Sequence, residues 1–597
     1  MANMTVEMLH SDVEDAIRDG HTTRTEAYKA RQYYDGQQWT LAEIKELNRR
    51  KQPIVTINRV RKKCNGVLGL DLKRPTDPVA LPRTPEADGA ASVATKILRF
   101  AEENTKADNK LKQVKRDITL AGYGAIEVTV KESGEDYELD VTHYHWQNVF
   151  FDPHSREVDF SDAGFLGTFE WMNTNKAISR YNKGEKLIRA SIEEGSGSGD
   201  DTADDKPSFL WSDKSRNRVR IVRLWKKDGQ VWRFYTFVKG GILEENESPF
   251  QDKDGQTVCP LLLESCYVDF ENNRYGIVRD MFSPQDETNQ SRSRLLFELS
   301  DDRFFYNQAA IQDIGALRGQ LQKRDGAIAI QHGIYGQDFG FVRDAGKAQG
   351  QSARMDRANQ EMNELGINPA LIGRDSQGQS GRAILAQQDG AIAEEAPVFD
   401  RLQNITQRVY EAMWQRIQQF WTAPRIIRIT GDKRAPEFLK LNTPELNPET
   451  GMIQYRNRVQ QMDVDVIIDQ KPDTATLAGE QFTEFMKLAS ANPQLLEEIG
   501  TEALIKMSSL PDKQAVLDIL EEKQKEKQAQ QQQQGQAQAQ QMQQVQMLAM
   551  QEQMAKLEKL VADTGLVKSK SQHEQAKTAQ IINEQAAPLP MGLIEQY

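Results

Sequence analysis

An apolar stripe about two thirds of the way along the chain sets the tightest bound on its architecture. Leu402, Ile405, Val409, Met413, Ile417 and Phe420 are spaced 3-4-4-4-3, the recurrence of one helix face. The helical pattern runs from about 382 to 422, with Gly390 and Pro397 in its first half, where a kink is expected. At about 1.5 Å per residue such an element is roughly 60 Å long, too long for a compact monomeric domain. The chain is therefore expected to complete its packing in an assembly. Its 597 residues leave room for several domains, and 38% hydrophobic against 27% charged residues is a modest apolar supply. Elongated elements that bury little until subunits meet fit that balance.

The formal net charge is -12. A protein that grips DNA tightly gains affinity by neutralising phosphates with basic residues, so a sequence-specific DNA reader is disfavoured. An acidic balance suits a wall that DNA slides past, and equally suits plain solubility. Cys64, Cys259 and Cys266 form neither a CxxC pair nor a disulfide framework. They read as free thiols of a reducing compartment. The first twenty residues lack the basic and apolar regions of a leader, and no apolar run approaches the roughly 20 residues of a membrane span. A cytosolic protein, or one packaged into something made in the cytosol, is expected.

Residues 1 to about 115 read as helical, with Thr40 as N-cap of a helix carrying Leu41, Ile44 and Leu47, followed by a β-branched run, Ile54 to Ile57. From about 118 to 275 the pattern turns to β. Residues 125–130 and 137–141 alternate as one hairpin, and 218–225 with 230–238 as another. The acidic Gly/Ser tract 193–205 reads as a surface loop. Ser283-Pro284-Gln285-Asp286 has the form of a capping box opening a helix to about Ser300. Residues 326–330 suggest a short strand, and helix returns from about Ser352 to Leu365. After the glycine-rich stretch 367–381 and the long helix, strands are expected at 425–430 and 464–468, and helices at 474–525. A glutamine tract to Gln544 precedes Met547, Met550, Met554, Leu557 and Val561, whose 3-4-3-4 spacing is that of a coiled-coil seam. A long self-associating helix is favoured there over polyglutamine disorder.

Catalytic motifs are missing: GxxxxGK[ST], HExxH, GxSxG and paired CxxC do not occur. His143, His145 and His154 lie near Asp140 and Asp152, a possible metal or nuclease cluster, although structural histidines are favoured. No cofactor or metal is expected. Arg49, Arg50, Lys51, Arg59, Arg61, Lys62 and Lys63 form a basic run that could meet DNA or an acidic subunit, with a solvated face favoured. Arg374, Arg382 and the neighbouring glycine-rich amides are a second candidate for phosphate contact.

Five tracts carry a resemblance: YYDGQQW (33–39), PIVTINRV (53–60), TLAGYGAIEV (119–128), WQNVFFDPHS (146–155) and GINPALIGRDSQGQSGRAILAQQDGA (366–391). In this order the chain resembles the portal proteins of tailed phages, most closely the large podophage type with a C-terminal barrel, over nearly its whole length. The resemblance implies a non-enzymatic, helix-rich α+β fold and a ring, dodecameric in that family. Residues 1–275 and 423–472 would form a wing, 276–300 and 350–365 two stem helices, and 301–349 a clip between them. Residues 366–381 would be a tunnel loop, 382–422 the long kinked helix, 473–525 a crown and 526–597 a helical barrel. Arg374, Asp375, Gln377, Gln379 and Arg382 would face DNA, with Arg374 and Arg382 biasing its position. Arg303, Phe304, Arg318, Lys323 and Arg324 would face a motor or adaptor. Implied partners are double-stranded DNA, the terminase large subunit, a tail adaptor, and capsid, scaffolding and ejection proteins, at a capsid vertex of a virion assembled in host cytoplasm. A coiled-coil scaffold or DNA-ejection protein is the alternative, and an enzyme built on residues 140–154 the competing class.

Overall fold

The computed structural model describes residues 4–72, 76–134, 136–194, 210–300, 303–311, 313–321, 323, 325–342, 345–365, 396–429, 437–446, 453–470, 548–550, 552–557 and 559. They fall in two units, Met1–Asp473 and Thr474–Tyr597.

The first unit opens with helices α1 (Val6–Asp19), α2 (His21–Asp35), α3 (Leu41–Arg49) and α4 (Val60–Leu72). Thr40 caps α3 as expected: its side chain accepts from the Glu43 amide, and the Glu43 carboxylate accepts from the Thr40 N–H at 2.9 Å. The expected helical character is interrupted by β1 (Thr76–Pro82) before α5 (Asp88–Thr105) and α6 (Ala107–Ala121) resume it. Ile54 to Ile57 forms no strand among the described residues.

The β region begins with the expected hairpin, β2 (Tyr123–Ser133) and β3 (Asp136–Tyr144), in register from Ala125 opposite Tyr144 to Ser133 opposite Asp136. A second sheet orders β4 (Val149–Phe151), β5 (Phe165–Asn173), β7 (Arg218–Asp228), β8 (Val231–Val238) and β9 (Gly241–Glu247), with β6 (Ser212–Asp213) also on β7. The β7–β8 hairpin turns at Gly229, whose φ of +63° favours glycine. Two helices, α7 (Thr174–Arg180) and α8 (Glu185–Glu194), interrupt a stretch that reads as β throughout. Ala177 and Ile188 bury against Val219 and Ile221 of the sheet, so packing onto a preformed surface stabilises helices too short to stand alone. Most of the acidic Gly/Ser tract lies outside the described residues. Strand β10 (Leu261–Ser265) adds to β2, and β11 (Tyr267–Val268) pairs with β12 (Arg274–Tyr275).

Helix α9 spans Phe282–Ser300 and follows a tight helical turn at Arg279–Met281. Ser283 is therefore not its cap. The chain arrives already helical, and Pro284 sits in the first turn, where its missing N–H costs no intrahelical bond. Beyond come β13 (Arg303–Tyr306), α10 (Ile314–Leu321), β14 (Phe339–Val342) and α11 (Ala345–Glu364), with β13 antiparallel to β14. Residues 326–330 are not a strand. Ile328 packs on the small cluster of Ala310, Ile311 and Leu317 without a ladder partner. Helix α11 starts seven residues earlier than its sequence pattern indicates.

The helix of the long stripe, α12, is described over Ala396–Phe420, about 37 Å at 1.5 Å per residue. Pro397 falls in its first turn, so no kink arises there, and residues 382–395 lie outside the described set. Its stripe is not waiting for a partner. Leu402, Ile405, Val409, Met413 and Ile417 are fully buried in one core with Ile97, Leu98, Val114, Ile126 and Val128. The remaining strands are β15 (Arg425–Ile429), β16 (Glu437–Leu441), β17 (Thr443–Leu446), β18 (Ile453–Arg456) and β19 (Val464–Gln470). Strand β19 pairs with β1, placing Gln470 opposite Thr76.

In the second unit, residues 548–550 and 552–557 are helical, with Leu548, Met550, Met554 and Leu557 exposed. Met547, Val561 and residues 474–525 lie outside the described set.

Candidate functional site

Helices α9 and α11 pack against each other, and β13, α10 and β14 lie between them in the chain. Arg354 of α11 forms an ion pair with Glu287 of α9 at 2.9 Å, and Met362 buries in the main core. The face of α9 turned away from α11 is polar and yet buried: Gln285, Asn289 and Ser293 lie 0–2% exposed. Buried polar groups require partners, and here they are residues 52–59, which belong to no helix or strand. The Ile57 amide donates to Asn289 Oδ1 at 2.9 Å and the Arg59 amide to Gln285 Oε1 at 3.1 Å. Gln285 Nε2 donates to the Ile57 carbonyl at 2.8 Å, and Ser293 Oγ to the Pro53 carbonyl at 2.5 Å. Side chains of a helix thus satisfy a backbone that lacks a partner strand.

The same joint uses the 33–39 tract. Tyr33 Oη donates to Asp286 at 2.6 Å, and Gln38 bridges the Tyr33 carbonyl and Asn289 Nδ2. Trp39 Nε1 donates to the Val55 carbonyl at 3.2 Å. Burial pushes the Asp286 carboxyl upward, against the Tyr33 hydrogen bond and Lys29. Burial, then Asp286, likewise raises Tyr33. In a further tract Gly122 has φ +91°, and an added Cβ there would lie 2.5 Å from the Tyr275 backbone. Beside it the buried Arg274 donates to the Ser155 carbonyl at 2.7 Å and the Glu157 carbonyl at 3.1 Å, with its guanidinium 4.0 Å from the Phe160 ring centre. Desolvation lowers its pKa to about 10. The buried Glu264 accepts from Arg408 of α12, itself only half-buried, at 2.9 Å and from Asn404 at 3.0 Å. Burial still pushes the Glu264 carboxyl up to about 7, against both partners.

The 303–342 segment has its own small core of Ala310, Ile311 and Leu317, with Phe304, Tyr306, Ile328 and Phe339 packed on it. Phe305, Ile314, Leu321, Ile330, Ile334 and Tyr335 are exposed, Tyr335 by 67%.

The sequence profile described as phage P22-like portal protein matches residues 11–566. The chain belongs to that family. A portal protein of Helicobacter pylori bacteriophage KHP30 is 20% identical over 528 residues, covering 86% of this chain and 81% of the relative. The family is structural and non-enzymatic, and membership implies a ring of identical subunits through which DNA passes, at a capsid vertex of the virion. Among the described residues no helix is long and apolar enough to cross a membrane.

The histidines of the 140–154 stretch have separate duties in this portal protein. His143 Nε2 lies 2.8 Å from Asp117, His145 accepts from the Gln147 amide, and His154 is exposed. Among the described residues no group of three or more His, Cys, Asp or Glu could hold a metal ion. The basic run is largely engaged: Arg49 and Arg50 pair with Glu46, Arg61 donates to the Tyr34 and Asp35 carbonyls, and Lys63 to the Asn363 carbonyl. Arg374, Asp375, Gln377, Gln379 and Arg382 lie outside the described residues, as does Arg324. Arg318 and Lys323 are exposed, and Arg303 opens β13. Phe304, expected to face outward, turns into the local core with its ring 5.1 Å from that of Phe341, while its neighbour Phe305 is the outward ring. Sequence reasoning missed the polar face of α9. Gln285, Thr288, Asn289 and Ser293 fall at i, i+3, i+4 and i+8, the spacing of an apolar stripe, but their polarity hid the burial.

Proposed function

We propose that the chain is the head-to-tail connector subunit of a double-stranded DNA phage. In this reading α9 and α11 form the stem of a ring of about twelve subunits, as the family resemblance implies, and residues 301–349 form the clip. Residues 1–275 and 423–472 are the wing, 366–381 the tunnel loop, 473–525 the crown and 526–597 the barrel, with Met550, Met554 and Leu557 on its seam. The observation that carries the reading is the small, separately packed core of residues 303–342 between two helices that pack together. Its outward apolar residues, with Arg318 and Lys323, suit docking of a terminase motor and later a tail adaptor. The exposed charges around α11 fit the stem role. Lys347, Arg354 and Arg357 are balanced there by Asp356, Glu361 and Glu364. DNA carries about one charge per 1.7 Å of axis, so a balanced wall neither grips nor strongly repels it. Hydrolysis of ATP belongs to the docked motor.

Electron microscopy of the purified full chain tests this, with closed rings expected. A monodisperse monomer under all conditions overturns the reading, and filaments or small bundles favour a coiled-coil scaffold. If replacing Arg374 and Arg382 with alanine leaves packaging and genome retention unchanged, their proposed contact with DNA is wrong.

A further inference from the structure

The turn joining β11 to β12 carries a phenylalanine with no visible duty inside the subunit. Phe270 is 96% exposed. The turn itself is locked. The Asp269 amide donates to the Asn273 carbonyl and the Asn272 amide to the Asp269 carbonyl, both at 3.0 Å. The Asp269 carboxylate accepts from the Glu271 and Asn273 amides and from Arg279 at 3.0 Å. Asn272, with φ +69°, donates to the Pro153 and Ser155 carbonyls at 2.7 and 2.8 Å. A bare aromatic ring on a rigid turn loses little freedom on docking, which is what an interface anchor requires. Glu271 is exposed beside it, while Asp269 is tied to Arg279.

A complementary surface lies at the other end of the β2–β3 ladder. Strands β15 and β16 bury Ile427 and Leu441 on one face. On the opposite face the register sets Ile426 against Lys440 and Arg428 against Phe438, so an apolar diagonal crosses a basic one. Ile426 and Phe438 are each 64% exposed. Position follows from covalent and hydrogen-bonded neighbours. β11 departs from Cys266, whose amide donates to the Gly122 carbonyl at the start of β2. β15 begins at Arg425, which holds Asp136 and the Tyr137 carbonyl at the far turn. The ladder between them is about 33 Å long at 3.3 Å per residue.

We propose that Phe270 of one subunit seats on the Ile426–Phe438 face of the next, with Glu271 set against Arg428 and Lys440. A ring is built from heterologous contacts, in which two different surfaces at separated sites of the subunit meet head to tail. The acidic-flanked knob and the basic-flanked apolar face are such a pair, and a second copy is the occupant. This rests on the ring reading above.

The test places cysteines at both surfaces of the full chain, Phe270→Cys with Phe438→Cys, and oxidises the assembled rings. A ladder of covalent multimers, missing from either single variant, is expected. Rings seen by microscopy that run as monomers after oxidation overturn the contact while leaving the ring reading intact. A wild-type chain that never forms rings overturns both. Independently, Phe270→Ala should shift ring dissociation to about tenfold higher protein concentration, and Glu271→Lys should weaken rings until Arg428→Glu and Lys440→Glu restore them. Unchanged rings in Phe270→Ala, or binding of an unrelated protein at Phe270 while rings persist, would show that the knob serves another partner.

Discussion

Glu264 sits with Arg408 within hydrogen-bonding distance, and burial nevertheless dominates its protonation. Its carboxyl is pushed up to about 7, against an unfolded value near 4.3. The folded chain therefore keeps a proton that the unfolded chain gives up. Stability from this site is greatest below about pH 4.3 and falls as pH rises toward 7, by on the order of 3 kcal/mol in total. Glu264→Gln removes the ionisation, so its thermal midpoint is expected to exceed wild type near pH 8 and converge with it near pH 5. Parallel unfolding curves at the two pH values would contradict this. Gly122 is constrained by space and by dihedral. With φ +91° and the Tyr275 backbone 2.5 Å from a built Cβ, Gly122→Ala should cost about 2 kcal/mol or more, read as a lower midpoint in denaturant. Neither role is visible in sequence, because a lone glutamate or glycine carries no periodicity.

At the scale of elements, α9 is the clearest case of structure exceeding pattern. Its buried side, Gln285, Asn289 and Ser293, does for residues 53–59 what a neighbouring strand does for an ordinary strand. Replacing Asn289 with alanine leaves the Ile57 amide and the Gln38 side chain without their partner, at a cost of about 1–3 kcal/mol. Hydrogen exchange should show lost protection at Ile57, while the β2–β3 ladder stays protected; protection unchanged at Ile57 would refute this role for the helix. Elements with a strong local pattern were legible beforehand: α3 with its Thr40 cap, the β2–β3 and β7–β8 hairpins, and the stripe of α12. The start of α9 was not, since Ser283 and Pro284 imitate a cap inside a turn already formed. Nor were α7 and α8, whose apolar residues gain burial only against the sheet, from Met172, Val219, Ile221 and Val238.

For the whole molecule, the question is what DNA meets as it passes. The exposed charges of α11 balance, and Arg354 and Arg357 are further engaged by Glu287 and Glu361. Asp356→Lys with Glu364→Lys would turn the exposed surface of that helix basic. Packaging should slow, and retention should become more salt-sensitive, because each phosphate contact releases counterions. A packaging rate equal to wild type would place this helix away from DNA. The sequence by itself determined the lack of nucleotide and catalytic motifs, the order of helix, hairpin and long helix, and a family resemblance resting on five tracts. Tertiary structure alone decided that the α12 stripe is an internal core, that Thr76 meets Gln470 across the chain, that Phe304 turns inward, and that Phe270 is left bare. The physical reason is that periodicity records which side of an element avoids water. It does not record which distant segment supplies the shelter, because any surface of the right shape and hydrogen-bonding capacity can do so.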